Sequence, residues 1–185
     1  MPRYNKSQFA ILGFLSLRPM SVYEIKQCVK KSIAYFWTEG EGQLYPTLKS
    51  LTESKLVTYK EETALKSGTK KIYTMTQKGK EVFLDWLKKK ADRPVYRNEL
   101  LLKLFFGSNQ SPAANIKLLA ATQDEYQKIL NELYFVKNSI AANAAEIPTE
   151  RLPYIEVSLN YGIETLAAEL KWCDSSIKKL KKLKK

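Results

Sequence analysis

The sequence predicts a mainly α-helical protein that carries one small β-hairpin, and three observations support this fold class. Apolar residues recur at helical spacing through the first 55 residues and again, over two long stretches, after residue 90. Between these regions, residues 56–60 and 71–75 are short, rich in β-branched and aromatic side chains, and alternate in polarity. A chain of 185 residues can bury the cores of two small domains, and we expect these to span residues 1–90 and 91–185.

Two helices are expected before the segment of residues 41–57, which supplies a third. Residues 4–17 carry apolar side chains at helical spacing, and the pair Arg18–Pro19 ends this first helix because proline cannot continue it. Ser21 and Glu24 match the S-x-x-E capping box, in which each side chain satisfies a free backbone amide at a helix start. The second helix is therefore predicted to begin directly after Ser21.

A third helix, within residues 41–57 and ending near Ser54–Lys55, has one apolar face and one face rich in hydrogen-bond donors. Leu44, Leu48 and Leu51 follow the i, i+4, i+7 spacing of a single helical stripe and should face a core. The other side carries groups that can donate hydrogen bonds: Gln43, Tyr45, Lys49 and Ser50. Gly42 stands just before the helix N-terminus, where free backbone amides favour anions. This arrangement predicts that an anionic partner binds the outer face.

The hairpin that follows is predicted to have a long, basic-tipped loop. Residues 61–70 are polar and contain Ser67–Gly68 as a turn signal. The segment Thr76–Gly79 is then expected to lead into a fourth helix that carries Val82, Phe83, Trp86 and Leu87. Three helices and a hairpin within the first 80 residues form the plan of a winged helix-turn-helix, in which the third helix enters the DNA major groove. In that plan the hairpin, or wing, lies along the DNA backbone or the minor groove.

After residue 90 the chain is predicted to be helical throughout. Residues 98–106 are dense in leucine and phenylalanine, and a long helix begins at Pro112. A second long helix after Pro153 carries apolar side chains in alternating steps of four and three: Leu159, Ile163, Leu166, Leu170, Cys173, Ile177 and Leu180. This spacing is typical of coiled coils. We therefore expect the two long helices to form an antiparallel coiled-coil pair and this series to form the interface with a second copy.

The net charge of +12 is distributed unevenly along the chain. Residues 1–90 carry a surplus of +9, residues 91–170 carry −3, and residues 171–185 carry +6. The basic first half favours a polyanionic partner such as nucleic acid; an anionic membrane or solubility alone would also account for the total. Three explanations stay open for the lysine-rich tail: continuation of the dimer interface, non-specific attraction to DNA, and a membrane-surface helix.

The sequence lacks the residues that most enzymes and metal sites require. It has no histidine and only two cysteines, Cys28 and Cys173, which excludes a disulfide framework and histidine-based metal sites. There is no glycine-rich phosphate loop and no G-x-S-x-G motif. We therefore expect neither catalysis nor a cofactor, and we expect both cysteines to be small core residues. Because no signal peptide or membrane-spanning apolar run is present, we expect a cytoplasmic protein.

Several phrases of the sequence resemble the PadR family of transcriptional regulators: AILGFLSLRPMSVYEIK, GQLYPTLKSLTESKLV, KIYTMTQKGKEVFLDWL, ELLLKLFFG and YIEVSLNYGIETLAAELKWCDSSI. The last two are similar to the longer C-terminal domain of the PadR-proper and virulence-activator branch. The resemblance implies a homodimer, built through the C-terminal helices, that binds a pseudo-palindromic operator on double-stranded DNA. It also implies that most members repress and that some respond to a small aromatic or drug-like ligand. Val22 departs from the family pattern, which commonly has glycine there.

We predict a dimeric, sequence-specific DNA-binding transcriptional regulator, a repressor released by a small effector of unknown identity. The resemblance and the donor-rich face together predict these DNA contacts on the third helix and the wing: Gln43, Tyr45, Pro46, Thr47, Lys49, Ser50, Lys70 and Lys71. Plainer interpretations stay open, since Tyr45 could serve only packing, Lys49 could be a solvated charge, and Thr47 lies nearer the buried side. The competing function is a winged-helix adaptor that binds another protein instead of an operator.

Overall fold

The computed structural model describes residues 6–37, 42–64 and 68–183, and the chain divides into two compact units, Met1–Arg93 and Pro94–Lys185. The elements of the first unit are α1 (Ser7–Leu15), β1 (Met20–Ser21), α2 (Val22–Ser32), α3 (Leu44–Glu53), β2 (Val57–Ala64), β3 (Gly68–Met75) and α4 (Gln77–Leu87). Those of the second unit are α5 (Glu99–Phe105), α6 (Pro112–Ala142) and α7 (Leu152–Leu180), with 3₁₀ turns at Gly107–Asn109 and Ala144–Glu146. The predicted fold class, mainly helical with a small antiparallel sheet, is confirmed.

The start of α2 is fixed by the capping box that the sequence predicts. The Glu24 amide donates to the Ser21 hydroxyl at 3.3 Å, and the Ser21 amide donates to the Glu24 carboxylate at 2.9 Å. Arg18 donates a further hydrogen bond to this carboxylate at 2.7 Å. The hydrogen bonds from the Ser21 amide and hydroxyl, followed by the Arg18 guanidinium, lower the pKa of Glu24 to about 2. The predicted helix start is therefore confirmed.

The hairpin belongs to a three-stranded antiparallel sheet in the order β1–β3–β2. β1, which the sequence analysis missed, pairs Met20 with Tyr73. β2 and β3 are each eight residues long and pair along their whole length, so they extend beyond the predicted strands. The polar residues 61–63, which indicated a loop, belong to β2 because a hairpin solvated on both faces needs no apolar alternation. Ser67 of the predicted turn lies outside the described residues.

One apolar core holds the first unit together. Its most deeply buried side chains come from α1, α2, α3 and β2: Leu12, Ile25, Leu48, Leu51 and Val57. Phe9 of α1 stacks on Trp86 of α4 with ring centroids 4.5 Å apart. This contact fixes the helix that follows the wing onto the first helix of the unit.

The end of α3 and the starts of β2 and α4 meet at one junction. The Thr76 hydroxyl caps α4 by accepting from the Gly79 amide at 3.0 Å, and it donates to the Lys55 carbonyl oxygen at 2.8 Å. Lys55 has a φ of 58°, a left-handed conformation that turns the chain out of α3. A Cβ on Gly79 would clash with the Leu56 carbonyl oxygen, so this position needs glycine. The junction therefore fixes where the wing leaves α3.

In the second unit, α6 and α7 pack against each other in antiparallel orientation. Gln123 donates to Asp174 at 2.7 Å, and Lys137 donates to Asn160 at 3.2 Å, so rising numbers on α6 meet falling numbers on α7. The buried apolar side chains of the two helices are Leu119, Leu130, Leu133, Leu159, Ile163 and Cys173. None of the helices in the described ranges is both long and apolar enough to cross a bilayer.

Part of the predicted dimer interface lies inside a single chain. Leu159, Ile163 and Cys173 are buried within one copy, so their side chains offer no surface to a second one, and the expectation for these three is corrected. The physical reason is that 4-3 spacing indicates a helix face that packs on another helix, but it does not distinguish a helix of the same chain from one of a second copy. The remaining members of the series are half-buried, and their contact with a partner stays a prediction: Leu166, Leu170, Ile177 and Leu180.

Candidate nucleic-acid interface

The leucine stripe on the inner face of α3 determines which side of the helix faces solvent. Leu48 and Leu51 are buried in the core, and Leu44 is half-buried at the helix start. α3 contacts α1, α2 and β2, so its rotation about its own axis is fixed. Side chains on the opposite side must therefore point into solvent.

Five of the six residues predicted to contact DNA on or beside α3 are exposed: Gln43, Tyr45, Pro46, Lys49 and Ser50. Tyr45 is 68% exposed, which rules out the plainer interpretation that it serves the core. The Lys49 side chain is 80% exposed, and its ammonium lies 4.0 Å from the Glu53 carboxylate one turn on. A pair this exposed contributes little in water, so the Lys49 ammonium can exchange Glu53 for another anion.

Thr47 is the exception on this helix. It is 3% exposed, and its hydroxyl donates to the Gln43 carbonyl oxygen at 2.7 Å. A threonine that faces the core and bonds to the preceding turn cannot reach a duplex, so the expectation of DNA contact at Thr47 is corrected. The sequence does indicate this burial, because Thr47 lies three residues after Leu44 and four before Leu51 and therefore falls on the apolar stripe.

Among the residues that the structure describes, no side chain caps the backbone amides in the first turn of α3. Gln43 occupies the N-cap position and makes no side-chain hydrogen bond to the helix. The amides of Leu44 and Tyr45 have no intrahelical acceptor because of their position, and Pro46 has no amide hydrogen. A Cβ on Gly42 would meet no described atom within 4 Å. These amides are therefore placed to bind an anion such as a phosphate.

Lys70 and Lys71 of the wing are each paired with a glutamate on the facing strand. The Lys70 ammonium lies 3.7 Å from Glu62, and the Lys71 ammonium lies 3.9 Å from Glu61. The Lys71 ammonium also lies 4.2 Å from the centroid of the Tyr59 ring, a cation–π contact. Hydrogen bonding with Tyr59 raises the pKa of Lys71 above its ordinary value, so this side chain is charged at neutral pH. All four ion-paired side chains are exposed, and phosphate can replace the glutamates.

Sequence reasoning overlooked the two wing glutamates. Glu61 and Lys71 face each other across the hairpin, as do Glu62 and Lys70. The signal that could have found them is their equal distance from the turn, because residues equidistant from a hairpin turn lie opposite each other in an antiparallel pair. The wing is therefore less basic than its lysines alone suggest.

Two family models together match most of the chain. The model of the transcriptional regulator PadR-like family matches residues 11–85, which include α3 and the wing, and the model of the virulence activator alpha C-term matches residues 96–181. The negative transcriptional regulator PadR of Bacillus subtilis (strain 168) is 30% identical over 138 residues, which are 74% of this chain and 76% of that protein. The chain belongs to the PadR-like family of transcriptional regulators.

Solved structures of similar proteins share the fold of this PadR-like chain. Bacillus subtilis PadR in complex with operator DNA is 25% identical with a TM-score of 0.83, covering 94% of this chain and 97% of that one. Bacillus subtilis PadR in complex with p-coumaric acid is 26% identical with a TM-score of 0.74, covering 95% and 98%. The Vibrio cholerae virulence activator AphA is 26% identical with a TM-score of 0.74, covering 94% and 97%.

The PadR-like chain keeps its second helix intact despite the departure at Val22. Val22 is half-buried against the core of the first unit, and the capping box of Ser21 and Glu24 is complete around it. Because the family consists of transcriptional regulators, membership also confirms that the chain is not an enzyme.

Proposed function

We propose that this PadR-like chain is a dimeric, sequence-specific DNA-binding regulator that represses transcription. The observation that carries the proposal is the outer face of α3, where exposed amide, phenol and ammonium groups stand on a helix whose inner face is fixed in a core. Donors on such a helix can read base edges in a major groove. Further support comes from Bacillus subtilis PadR, which is a negative regulator and was solved with operator DNA.

In this proposal, the affinity for DNA and the sequence specificity come from different contacts. The ammonium of Lys49 binds guanine or phosphate, and the hydroxyl of Tyr45 reaches a phosphate. The wing lysines, Lys70 and Lys71, exchange their glutamates for backbone phosphates. Phosphate neutralisation then supplies most of the binding free energy, and α3 supplies the choice of sequence.

Selection from a pool of random DNA duplexes tests this function. We expect the full chain to enrich one inverted repeat, because a two-fold dimer presents two copies of α3 to half-sites about 10 base pairs apart. We also expect affinity to fall steeply with salt concentration, as phosphate contacts require. Enrichment of no sequence, together with salt-independent binding, would refute operator recognition and favour the adaptor interpretation.

We propose in addition that a small aromatic ligand releases the chain from DNA. The support is the complex of Bacillus subtilis PadR with p-coumaric acid. Titration of p-coumaric acid and a panel of related aromatic carboxylates into the complex with the selected duplex tests this part. We expect at least one compound to release the protein with a saturable midpoint. Release by none of them would contradict the effector, while the DNA-binding proposal would stand.

A further inference from the structure

The second unit contains a cavity of about 570 Å³, and all of its described lining residues belong to this unit. Its walls come from α5, the 3₁₀ turn at Gly107–Asn109, the start of α6 and the C-terminal end of α7. The volume lies within the range of small-molecule binding sites in proteins. Six lining residues determine its chemistry: Leu104, Leu119, Trp172, Ser176, Lys179 and Leu183.

The cavity is apolar at its inner end and opens to solvent at its outer end. Leu119 of α6 is fully buried, and Leu104 of α5 is half-buried. Trp172 and Leu183 are 36% and 55% exposed, so they lie nearer the opening. A molecule that enters the cavity therefore meets more apolar surface the deeper it goes, which favours a ligand with an apolar end.

One face of α7 adds two polar groups to the wall. Trp172, Ser176 and Lys179 follow one another at steps of four and three, so they lie on one helical stripe. Lys179 is exposed, and no described carboxylate forms an ion pair with its ammonium. The Ser176 side chain is half-buried, and its hydroxyl makes no hydrogen bond with the described residues. An ammonium and a hydroxyl one turn apart can together bind one carboxylate.

The charge around the opening is positive. Residues 171–182 hold five lysines and one aspartate, Asp174, which accepts a hydrogen bond from Gln123. A positive surface attracts anions to the opening and repels cations. Lys178 is exposed like Lys179 but does not line the cavity. The direct contact with an anion in the cavity therefore falls to Lys179.

A buried asparagine fixes one wall of the cavity. The side-chain nitrogen of Asn115 donates to the Gly107 carbonyl oxygen at 2.8 Å, and its side-chain oxygen accepts from Gln110 at 2.6 Å. A Cβ on Gly107 would lie 2.9 Å from this oxygen, so the turn after α5 fits closely against α6. Because this wall is already ordered, a ligand loses little affinity to ordering the protein.

We infer that this cavity binds one amphipathic anion, a free medium-chain aliphatic carboxylate such as decanoate. The alkyl chain lies against Leu104 and Leu119, and the carboxylate is bound at the opening by the Lys179 ammonium and the Ser176 hydroxyl. Four lining residues are leucines and only Trp172 is aromatic, so an aliphatic chain finds more contacts than a ring that needs stacking partners. The inference goes beyond the proposed function, because it requires neither DNA nor the dimer.

Isothermal titration calorimetry of the full protein without DNA tests the ligand class, at concentrations below micelle formation. We expect saturable binding of one decanoate per protein chain, with affinity rising about fourfold for each methylene from octanoate to decanoate, as burial of a CH₂ group predicts. Decylamine has the same alkyl chain and the opposite charge, and it should bind at least about tenfold more weakly. Equal binding of the amine, no dependence on chain length, or no saturable binding would overturn the inference.

Substitutions on α7 test the location. Lys179→Gln should weaken decanoate binding about tenfold, because a charge-assisted hydrogen bond is lost, and Ser176→Phe should abolish binding by filling the cavity. Lys178→Gln and Ser175→Phe are the matched controls on neighbouring positions that do not line the cavity, and both should bind within about twofold of the original protein.

Circular dichroism checks that each variant keeps its helicity, and if Ser176→Phe does not, the two lysine variants decide. Equal affinity of Lys179→Gln and Lys178→Gln would overturn the inference, as would undiminished binding by a folded Ser176→Phe variant.

Other occupants of this surface would give different results. Phosphatidylglycerol vesicles that bind the protein when decanoate does not would overturn the inference and favour a membrane-surface helix at the lysine-rich tail. A second copy that covers the cavity would leave decanoate no access, and the absence of saturable binding would again overturn it. A failure of operator recognition would leave the site unaffected, since these titrations contain no DNA.

Discussion

Replacing Gly79 by alanine should destabilise the first unit strongly, because the junction has no space for a Cβ. The added carbon would clash with the Leu56 carbonyl oxygen and lie 3.0 Å from Met75 Cγ. That carbonyl already accepts the Thr76 amide at 3.0 Å, so the backbone at the start of β2 must shift by about 1 Å. Overpacking of this kind costs about 1–3 kcal/mol, and weakening the Thr76 cap costs about 1 kcal/mol more. We expect a loss of about 3 kcal/mol in the free energy of unfolding.

Urea and thermal unfolding of the full chain measure this loss. Near-ultraviolet circular dichroism is the signal, because Trp86 stacks on Phe9 in the same unit and contributes to it only when folded. A loss of about 3 kcal/mol should lower the melting temperature of a unit this size on the order of 15 °C. Gly42→Ala is the matched control and should change stability by less than about 0.5 kcal/mol, since its Cβ meets no described atom. Equal stability of the Gly79→Ala variant and the original chain, or an equal loss in both variants, would refute the crowding argument.

Three further predictions concern charge and burial. Glu24 has a pKa of about 2 in the folded protein, so its carboxylate stabilises α2 fully above pH 4.5 and progressively less as pH falls toward 2. Glu24→Gln should lower the free energy of unfolding by roughly 1 kcal/mol at pH 7. The same pH dependence of unfolding in the variant and the original chain would contradict this role of Glu24. Replacing Glu61 and Glu62 together by glutamine frees both wing lysines, so fluorescence anisotropy should show duplex binding about tenfold tighter at fixed salt; weaker binding would exclude the wing from the DNA. Burial raises the pKa of the Cys173 thiol, so thiol reagents should label half-buried Cys28 in the folded protein and Cys173 only in urea; rapid labelling of both would disprove the packing of α7.

Local patterns were sufficient to predict the parts of the fold that depend on neighbouring residues. The capping box at Ser21 needs two side chains three positions apart, and the leucine stripe of α3 needs only helical spacing. The seating of α3, and with it the exposure of Tyr45 and Lys49, follows from that stripe. The patterns that predict these features involve side chains only a few positions apart, which is why the sequence alone reveals them.

Features that depend on distant partners could not be predicted in this way. β1 has two residues and exists only because Met20 meets Tyr73 across the sheet. The glutamates of the wing acquire their role from lysines on the opposite strand. The apolar series of α7 looks the same whether it packs on α6 or on a second copy, and burial of Leu159 and Cys173 in one chain decides for α6.

Affinity of the Lys49→Ala variant for the selected duplex tests the proposed function most directly. Lys88→Ala is the matched control, because Lys88 is equally exposed and likewise forms one surface ion pair, but lies at the C-cap of α4. With dimer mass and unfolding unchanged, we expect Lys49→Ala to weaken binding roughly 10- to 100-fold and Lys88→Ala to leave it within about twofold. An unaltered affinity and footprint for Lys49→Ala would mean that α3 does not face the DNA.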